Sequence, residues 1–367
     1  MNSLFCILLF AMPALASVAV TSPKTGATAS SPVHYVATST TTCAAGVSSM
    51  GIYTAPFVLA YKVSGASINT NLPLAPGTYN TVVQEWDKCG SSTKTAITIT
   101  VSGTAPSVPA SSHVFLLVEE NHSYSNVIGS SSMPYLNSLA TKFGLATQYY
   151  ANTHPSIGNY FMLTTGQVIT NNDSACGTYT QDNIVRHLLS AGKTWKAYAD
   201  SLPSVGYTGC GVYPYVKRHN PLAYFSDVAN SSEKNNLVPF TKFASDLANN
   251  NLPNFSFIVP NLLHDAHDGS LSAADAWLKA NIAPLLASAT FQKDGILIIV
   301  FDESLDTDTQ HGGGHVAALV IGPKVLAGHK STVLYQHQNT LKTLMKALGI
   351  STYPGAASGA SPMNDMF

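Results

Sequence analysis

The sequence predicts an α/β domain of three layers preceded by an all-β sandwich. Three observations carry that prediction. Short alternating runs with turn residues between them fill residues 17–102, and beyond residue 112 longer apolar runs alternate with segments of helical spacing. A Pro/Ser/Ala-rich stretch divides the two patterns. At 367 residues the chain is long enough for two or three domains, and 45% hydrophobic residues suffice to build a core in each.

The opening residues, MNSLFCILLFAMPALASVAV, hold an apolar segment too short to span a bilayer, followed by Ala14-Leu15-Ala16. They predict a signal peptide over residues 1–16 and a secreted or periplasmic product. No other run is long and apolar enough to predict a membrane span. Without Cys6, four cysteines remain, and an oxidising compartment favours the pairs Cys43 with Cys89 and Cys176 with Cys210, each inside one predicted domain.

In residues 17–102 the runs VAVTSP, VHYVATS, FVLAYKV, YNTVVQEW and TAITITV read as strands of an immunoglobulin-like β-sandwich. Cys43 and Cys89 are expected to bridge its two sheets. The segment offers no catalytic constellation, so it reads as a spacer or adhesion module whose partner the sequence does not name. Residues 103–112, GTAPSVPASS, read as an extended, exposed linker.

Residues 113–367 form the second predicted domain. HVFLLVE, LATQYYA, FSFIVPN, GILIIVFD and HVAALVIG read as strands, and PYLNSLATKF, QDNIVRHLLSA, PFTKFASDLANN, AADAWLKANIAPLLASA and NTLKTLMKALG as helices. Strands apolar throughout and separated by helices predict a parallel sheet covered on both faces. Only 10% of residues are charged and the net charge is -1, so no basic field exists to attract nucleic acid.

In open α/β sheets ligands sit beyond the carboxyl ends of the strands. HVFLLV runs into Glu119, Glu120 and Asn121, and GILIIVF into Asp302, Glu303 and Ser304. A carboxylate at the end of a buried strand must be paired or must coordinate a cation. Two such strand ends can supply four oxygen ligands to one divalent metal ion, a set suited to Mg²⁺, Mn²⁺ or Ca²⁺. Taken singly, each pair also reads as a solvated strand end or helix cap.

LATQYYANT runs into His154, Pro155 and Ser156, where a helix begins. Ser156 reads as an N-cap or as a nucleophile, since a helix N-terminus favours both an alkoxide and a phosphoryl group. Asn159 can point its amide at the same oxygens. In HDAHDGS, His267 with Asp265 or Asp268 can bind phosphate or protonate a leaving group. His315 follows three glycines, either in a tight loop or where backbone approaches a ligand. His219 lies on a loop in KRHNPLAYF.

With those residues in view, the chain from about His113 to Ile350 resembles the phosphoesterase family of acid phosphatase A-type enzymes and phosphatidylcholine-preferring phospholipases C, within the alkaline phosphatase superfamily. EENHSY, THPSIGNY, TWKAYADSLP, KRHNPLAYF, FIVPNLLHDAHDG, IIVFDES, GGGHV and YQHQNTLKTL carry the resemblance, in the family's order. It implies an alkaline-phosphatase-like three-layer αβα domain. It also implies Glu120, Asn121, Asp302 and Glu303 as metal ligands, Ser156 as nucleophile, and a phosphate pocket lined by His219, His267, Asn159 and His315. Glu119 then moves behind the ligands.

The expected activity is hydrolysis of a small phosphorylated substrate through a phosphoserine, as in an acid phosphatase. The alternative is a phospholipase C-type phosphodiesterase; the absence of a long hydrophobic loop in the sequence favours monoesters. A non-catalytic adhesion protein would be expected to lack a ligand or the nucleophile, and none is missing.

Overall fold

The computed structural model describes residues 16–103 and 106–367. The predicted signal peptide therefore lies, apart from Ala16, outside the described residues. The chain divides into two units between Pro106 and Ser107.

In the first unit the alternating pattern gives eight strands: Ser17–Ser22 (β1), Thr28–Ser30 (β2), Val33–Thr40 (β3), Val47–Ala55 (β4), Val58–Ser64 (β5), Ser67–Leu72 (β6), Gly77–Asp87 (β7) and Ser92–Ser102 (β8). They make two sheets, ordered β1-β3-β6 and β2-β8-β7-β4-β5. Every second residue turns inward, as Val33, Tyr35 and Ala37 do in β3 and Ile97, Ile99 and Val101 in β8. The two sheets thus enclose one core. A disulfide joins Cys43, in the loop leaving β3, to Cys89, in the turn leaving β7. It connects the two sheets through their end loops, where the sequence reading had it bridging the sheets themselves.

The second unit is built on Val114–Glu119 (β9), Gly144–Ala146 (β10), Trp195–Ala199 (β11), Gly211–Val212 (β12), Tyr215–Val216 (β13), Leu237–Pro239 (β14), Phe255–Val259 (β15), Ile296–Phe301 (β16), Ala318–Ile321 (β17) and Lys330–Ser331 (β18). Eight of them form one sheet ordered β14-β11-β15-β9-β16-β17-β10-β18. All residues of β9, β15 and β16 are buried, which requires cover on both faces of the sheet. Six helices of seven residues or more supply that cover, including Ser156–Thr165, Leu271–Ala287 and His337–Ala347.

Three expectations change. The sheet is mixed, because β17 runs antiparallel to both β16 and β10; an apolar run carries no direction, so its sequence could not announce this. LATQYYA is a strand only to Ala146, and its tyrosines then make isolated bridges, Tyr149 to Tyr335 and Tyr150 to His315. The second half of the linker is docked, not exposed: Val108 is buried, and the Ser111 N–H donates to the Ala347 carbonyl at 2.8 Å.

What positions the site is the pairing of β9 with β16. The two run parallel with Phe301 opposite Glu119, so the next residues, Glu120 and Asp302, leave the sheet side by side.

Candidate active site

Two neighbouring strand ends deliver the acids. The Asp302 N–H donates to the Glu119 carbonyl at 3.0 Å, and the Asn121 N–H donates to Asp302 Oδ1 at 3.1 Å. Asn121 takes φ 46°, a left-handed conformation that asparagine tolerates better than most residues, and this sharp turn directs its amide back toward the acids. His337 fixes the other strand end by holding the Asp302 carbonyl at 2.7 Å.

Ser156 opens a helix whose ten residues are all buried. Its hydroxyl oxygen lies 3.1 Å from Glu120 Oε2, 3.1 Å from Glu303 Oε1 and 3.3 Å from Asn121 Oδ1. One hydroxyl proton cannot serve three acceptors at once. The inward end of the Asn121 amide lies 2.8 Å from Glu120 Oε2 and 3.2 Å from Asp302 Oδ1, so its NH₂ turned inward would donate to them and its oxygen turned inward needs a cation, while Asp302 Oδ2 has no hydrogen-bond partner among the described residues. So many oxygens turned on one point without matching protons fit a hard divalent cation.

The electrostatics agree. Burial, then the charge of Asp302, holds the Glu120 carboxyl well above the usual range. Asp302 is raised likewise by burial and by Glu303. Burial pushes Glu303 up to about 8, against the lowering effect of its Ser156 hydrogen bond. Burial thus disfavours the charged form of each acid, which a bound cation would favour.

The residues around the acids have defined attachments. Tyr160, one turn after Ser156 on the same face of its helix, donates its hydroxyl to Glu120 Oε1. His154 places Nδ1 2.8 Å from Glu303 Oε2 and Nε2 3.0 Å from the Asp308 carbonyl. Glu119 is wholly buried, and neither of its carboxylate oxygens has a hydrogen-bond partner among the described residues.

Several expectations are met differently. His219 is buried, with Nδ1 3.1 Å from Asp265 Oδ2 and Nε2 3.2 Å from Glu120 Oε1, the latter not aligned as a hydrogen bond. It lies against Glu120 with its ring stacked on Tyr160 and does not open toward a leaving group; burial, then Arg218, holds it well below the usual histidine range. His267 is exposed, bonded to Asp268 at 2.7 Å, its ring 5.8 Å from that of His219.

Asn159 spends its amide locally, accepting from the N–H groups of Asn152 and Thr153 and donating to the Thr153 carbonyl at 2.7 Å. It shapes the loop before Ser156 instead of lining a phosphate pocket. His315 stacks between Tyr124 and Tyr150 and holds the Thr147 carbonyl at 3.1 Å. The glycines before it press on protein and not on ligand space: a Cβ on Gly313 would meet the Thr153 carbonyl at 2.4 Å.

Four contributors were given no role by the sequence. Tyr160 was signalled by its four-residue spacing from Ser156, and His154 by its place two residues before it. Arg218 stands beside His219 in KRHNPLAYF; its Nη2 lies 3.4 Å from His267 Nε2, and its Nε has no hydrogen-bond partner among the described residues. Asp173 had no local signal, yet its carboxylate accepts the Ile157 N–H at 3.1 Å and sits 3.7 Å from Arg218 Nε. The first turn of the Ser156 helix is thus already partly satisfied by an acid, and Arg218 is the positive group beside it.

A serine hydroxyl enclosed by carboxylate and amide oxygens stands at the carboxyl edge of the α/β sheet. The phosphoesterase family profile matches residues 130–351, and the chain belongs to that family. Ser156, Asp302 and Glu303 fall inside the matched span; Glu120 and Asn121 lie just ahead of it. Over 267 residues the chain is 33% identical to a phosphatidylinositol-3-phosphatase of Mycobacterium tuberculosis, covering 72% of this chain and 85% of that one. Over 303 residues it is 29% identical to a probable acid phosphatase of Kluyveromyces lactis, covering 78% and 69%. A solved protein of the alkaline phosphatase superfamily from Vibrio parahaemolyticus superposes with a TM-score of 0.47 at 14% identity, over 71% of this chain and 73% of that one.

Proposed function

We propose that the chain is a secreted, metal-dependent phosphomonoesterase of the acid phosphatase kind, working through a phosphoserine at Ser156. The observation that carries this reading is the position of Ser156 Oγ, 3.1–3.3 Å from oxygens of Glu120, Asn121 and Glu303. A divalent cation held by Glu120, Asn121, Asp302 and Glu303 would supply positive charge against the phosphoryl oxygens and make the hydroxyl more acidic.

Ser156 Oγ attacks phosphorus while its proton passes to one of the carboxylates it already faces. The bond to the leaving alkoxide breaks, and the alkoxide takes a proton at the mouth of the site, where His267 is the exposed histidine. Arg218 donates to the non-bridging oxygens in the planar, forked manner suited to phosphate. Water then attacks the phosphoserine, the bond from phosphorus to Oγ breaks, and the serine regains its proton. Tyr160 holds Glu120 still throughout, its ring stacked on that of His219.

The two disulfides, Cys43–Cys89 and Cys176–Cys210, support an oxidising compartment and hence export. No helix among the described residues is long and apolar enough to cross a membrane. The N-terminal unit is read as an immunoglobulin-like sandwich, on the support of its two facing sheets.

A lipid-directed phosphodiesterase is the second reading. Val212 and Tyr213, at the turn between β12 and β13, are 56% and 64% exposed, and the Leu262 N–H donates to the Pro214 carbonyl, tying that apolar turn to the segment bearing Asp265 and His267. The mycobacterial relative is itself named for a lipid phosphomonoester, which a monoesterase could meet through the same rim. Acid quench during turnover of a phosphorus-labelled aryl phosphate should leave label on the Ser156 peptide; label-free protein during full turnover sinks the covalent mechanism. Comparing that substrate with vesicles of phosphatidylinositol 3-phosphate and of phosphatidylcholine separates monoester from diester.

A further inference from the structure

The N-terminal unit displays one sign of charge. Residues 16–103 contain four lysines, no arginine and two acids, a formal charge of +2. Lys24, Lys62, Lys88 and Lys94 are all exposed, whereas Glu85 and Asp87 are 1% and 8% exposed. Asp87 is further engaged by the N–H groups of Cys89 and Ser91 and by the hydroxyl of Thr41.

One side of this surface is also aromatic. Ala55 pairs with Val58, so Pro56 and Phe57 alone make the turn between β4 and β5. Phe57 takes φ 63° at a position that ordinarily falls to Gly or Asn, and its side chain is 100% exposed. A bulky ring in a strained turn, touching none of the core, contributes nothing to the fold that a smaller residue would not. Beneath it the outer face of the sheet carries Tyr53 on β4, tilted against Trp86 on β7 at 6.3 Å.

Between turn and sheet lies a cleft of about 480 Å³ lined by Tyr53, Pro56, Phe57, Asn80, Gln84 and Lys94. Asn80 and Gln84 bring amides to it and Lys94 an ammonium. Thr98 Oγ1 donates to Asn80 Oδ1 at 2.8 Å, which leaves the NH₂ end of that amide to face a ligand, and Gln84 stands directly opposite Lys94 in the sheet. No carboxylate lines the cleft.

We propose that this cleft binds an acidic polysaccharide, with sugar rings laid on Tyr53 and Phe57 and a uronate carboxylate on Lys94. Flat C–H faces suit aromatic rings, hydroxyls suit amides, and the one-signed surface selects an anion. Single-stranded nucleic acid also stacks on aromatic rings, but its affinity rests on several Lys or Arg contacts to phosphate, and the cleft holds a single lysine.

The test is native-gel retardation of the full chain by dissolved polygalacturonate. Wild type is retarded, less so as salt rises. Phe57→Ala and Lys94→Gln each weaken binding about tenfold or more, while the thermal transition and phosphatase turnover stay those of wild type. Unretarded wild type, or a Phe57→Ala variant retarded like wild type, overturns the proposal. Equal retardation by neutral hydroxyethylcellulose, or retention by single-stranded oligothymidylate alone, overturns it as well.

Discussion

The ring of Tyr160 stacks on that of His219, 5.1 Å between centroids and 5° between planes, and both present a polar atom to the same oxygen, Glu120 Oε1. The other oxygen, Oε2, is thereby left to the Ser156 hydroxyl. Removing the Tyr160 hydroxyl should loosen Glu120 without opening a cavity. Tyr160→Phe is expected to weaken divalent-cation affinity by about 10- to 100-fold, the usual effect of losing a group that orients a ligand. Calorimetric titration of the stripped protein checks this, and unchanged affinity would show that Glu120 needs no such brace.

Ser156→Ala removes the proposed nucleophilic hydroxyl together with its contacts to Glu120, Asn121 and Glu303. Turnover of an aryl phosphate should fall by at least about 10³-fold, since losing a nucleophile costs more than losing a positioning group. Because the hydroxyl sits among competing acceptors, the melting temperature should hold or rise slightly. Wild-type turnover in this variant would contradict the assignment.

The pH dependence of the metal-free protein has a definite sign. Glu303 goes from an ordinary value of 4.5 to about 8 in the folded chain, chiefly through burial. Between those values the folded state keeps a proton that the unfolded state has lost, so stability is full below about 4.5 and declines as pH rises through about 8. Melts of chelator-treated protein from pH 5 to 9 should show that fall. Excess divalent cation should abolish it and raise the melting temperature, because the ligand binds only the folded chain. A metal-free protein that gains stability across this range would refute the acid cluster as described.

Arg218→Gln should raise KM for an aryl phosphate by about ten- to a hundredfold, as expected for a lost charge-assisted hydrogen bond. Arg218→Lys should restore only part, since a point charge replaces a planar fork. Steady-state kinetics on the two variants decide it; a fall in kcat alone, with KM unchanged, would place Arg218 outside the substrate contacts.

Much of the site was legible because it lies in sequence-local signals. HVFLLVEEN and GILIIVFDE each show a buried strand breaking into acids, and parallel register alone then brings Glu120 beside Asp302. Residues whose role depends on distant packing were opaque. Asn159 looked like a pocket amide but is consumed by the carbonyl and N–H groups of residues 152 and 153. Asp173 caps the Ser156 helix from sixteen residues beyond Ile157, in a loop with no periodicity. His219 read as a loop histidine open to substrate, and only the stacking of Tyr160 shows why it is buried. The direction of β17 was equally hidden, since an apolar run reads the same either way.

The glycine run before His315 ties two catalytic-site segments together through backbone hydrogen bonds. Gly313 donates to the Ala151 carbonyl at 3.1 Å, Ala151 donates to the Gly314 carbonyl at 3.0 Å, and His154 holds the Asp308 carbonyl. The segment that presents the serine and the segment that follows the second acid pair are therefore one hydrogen-bonded unit. A chimera that swaps residues 304–314 is expected to fold better when residues 151–155 are exchanged with them.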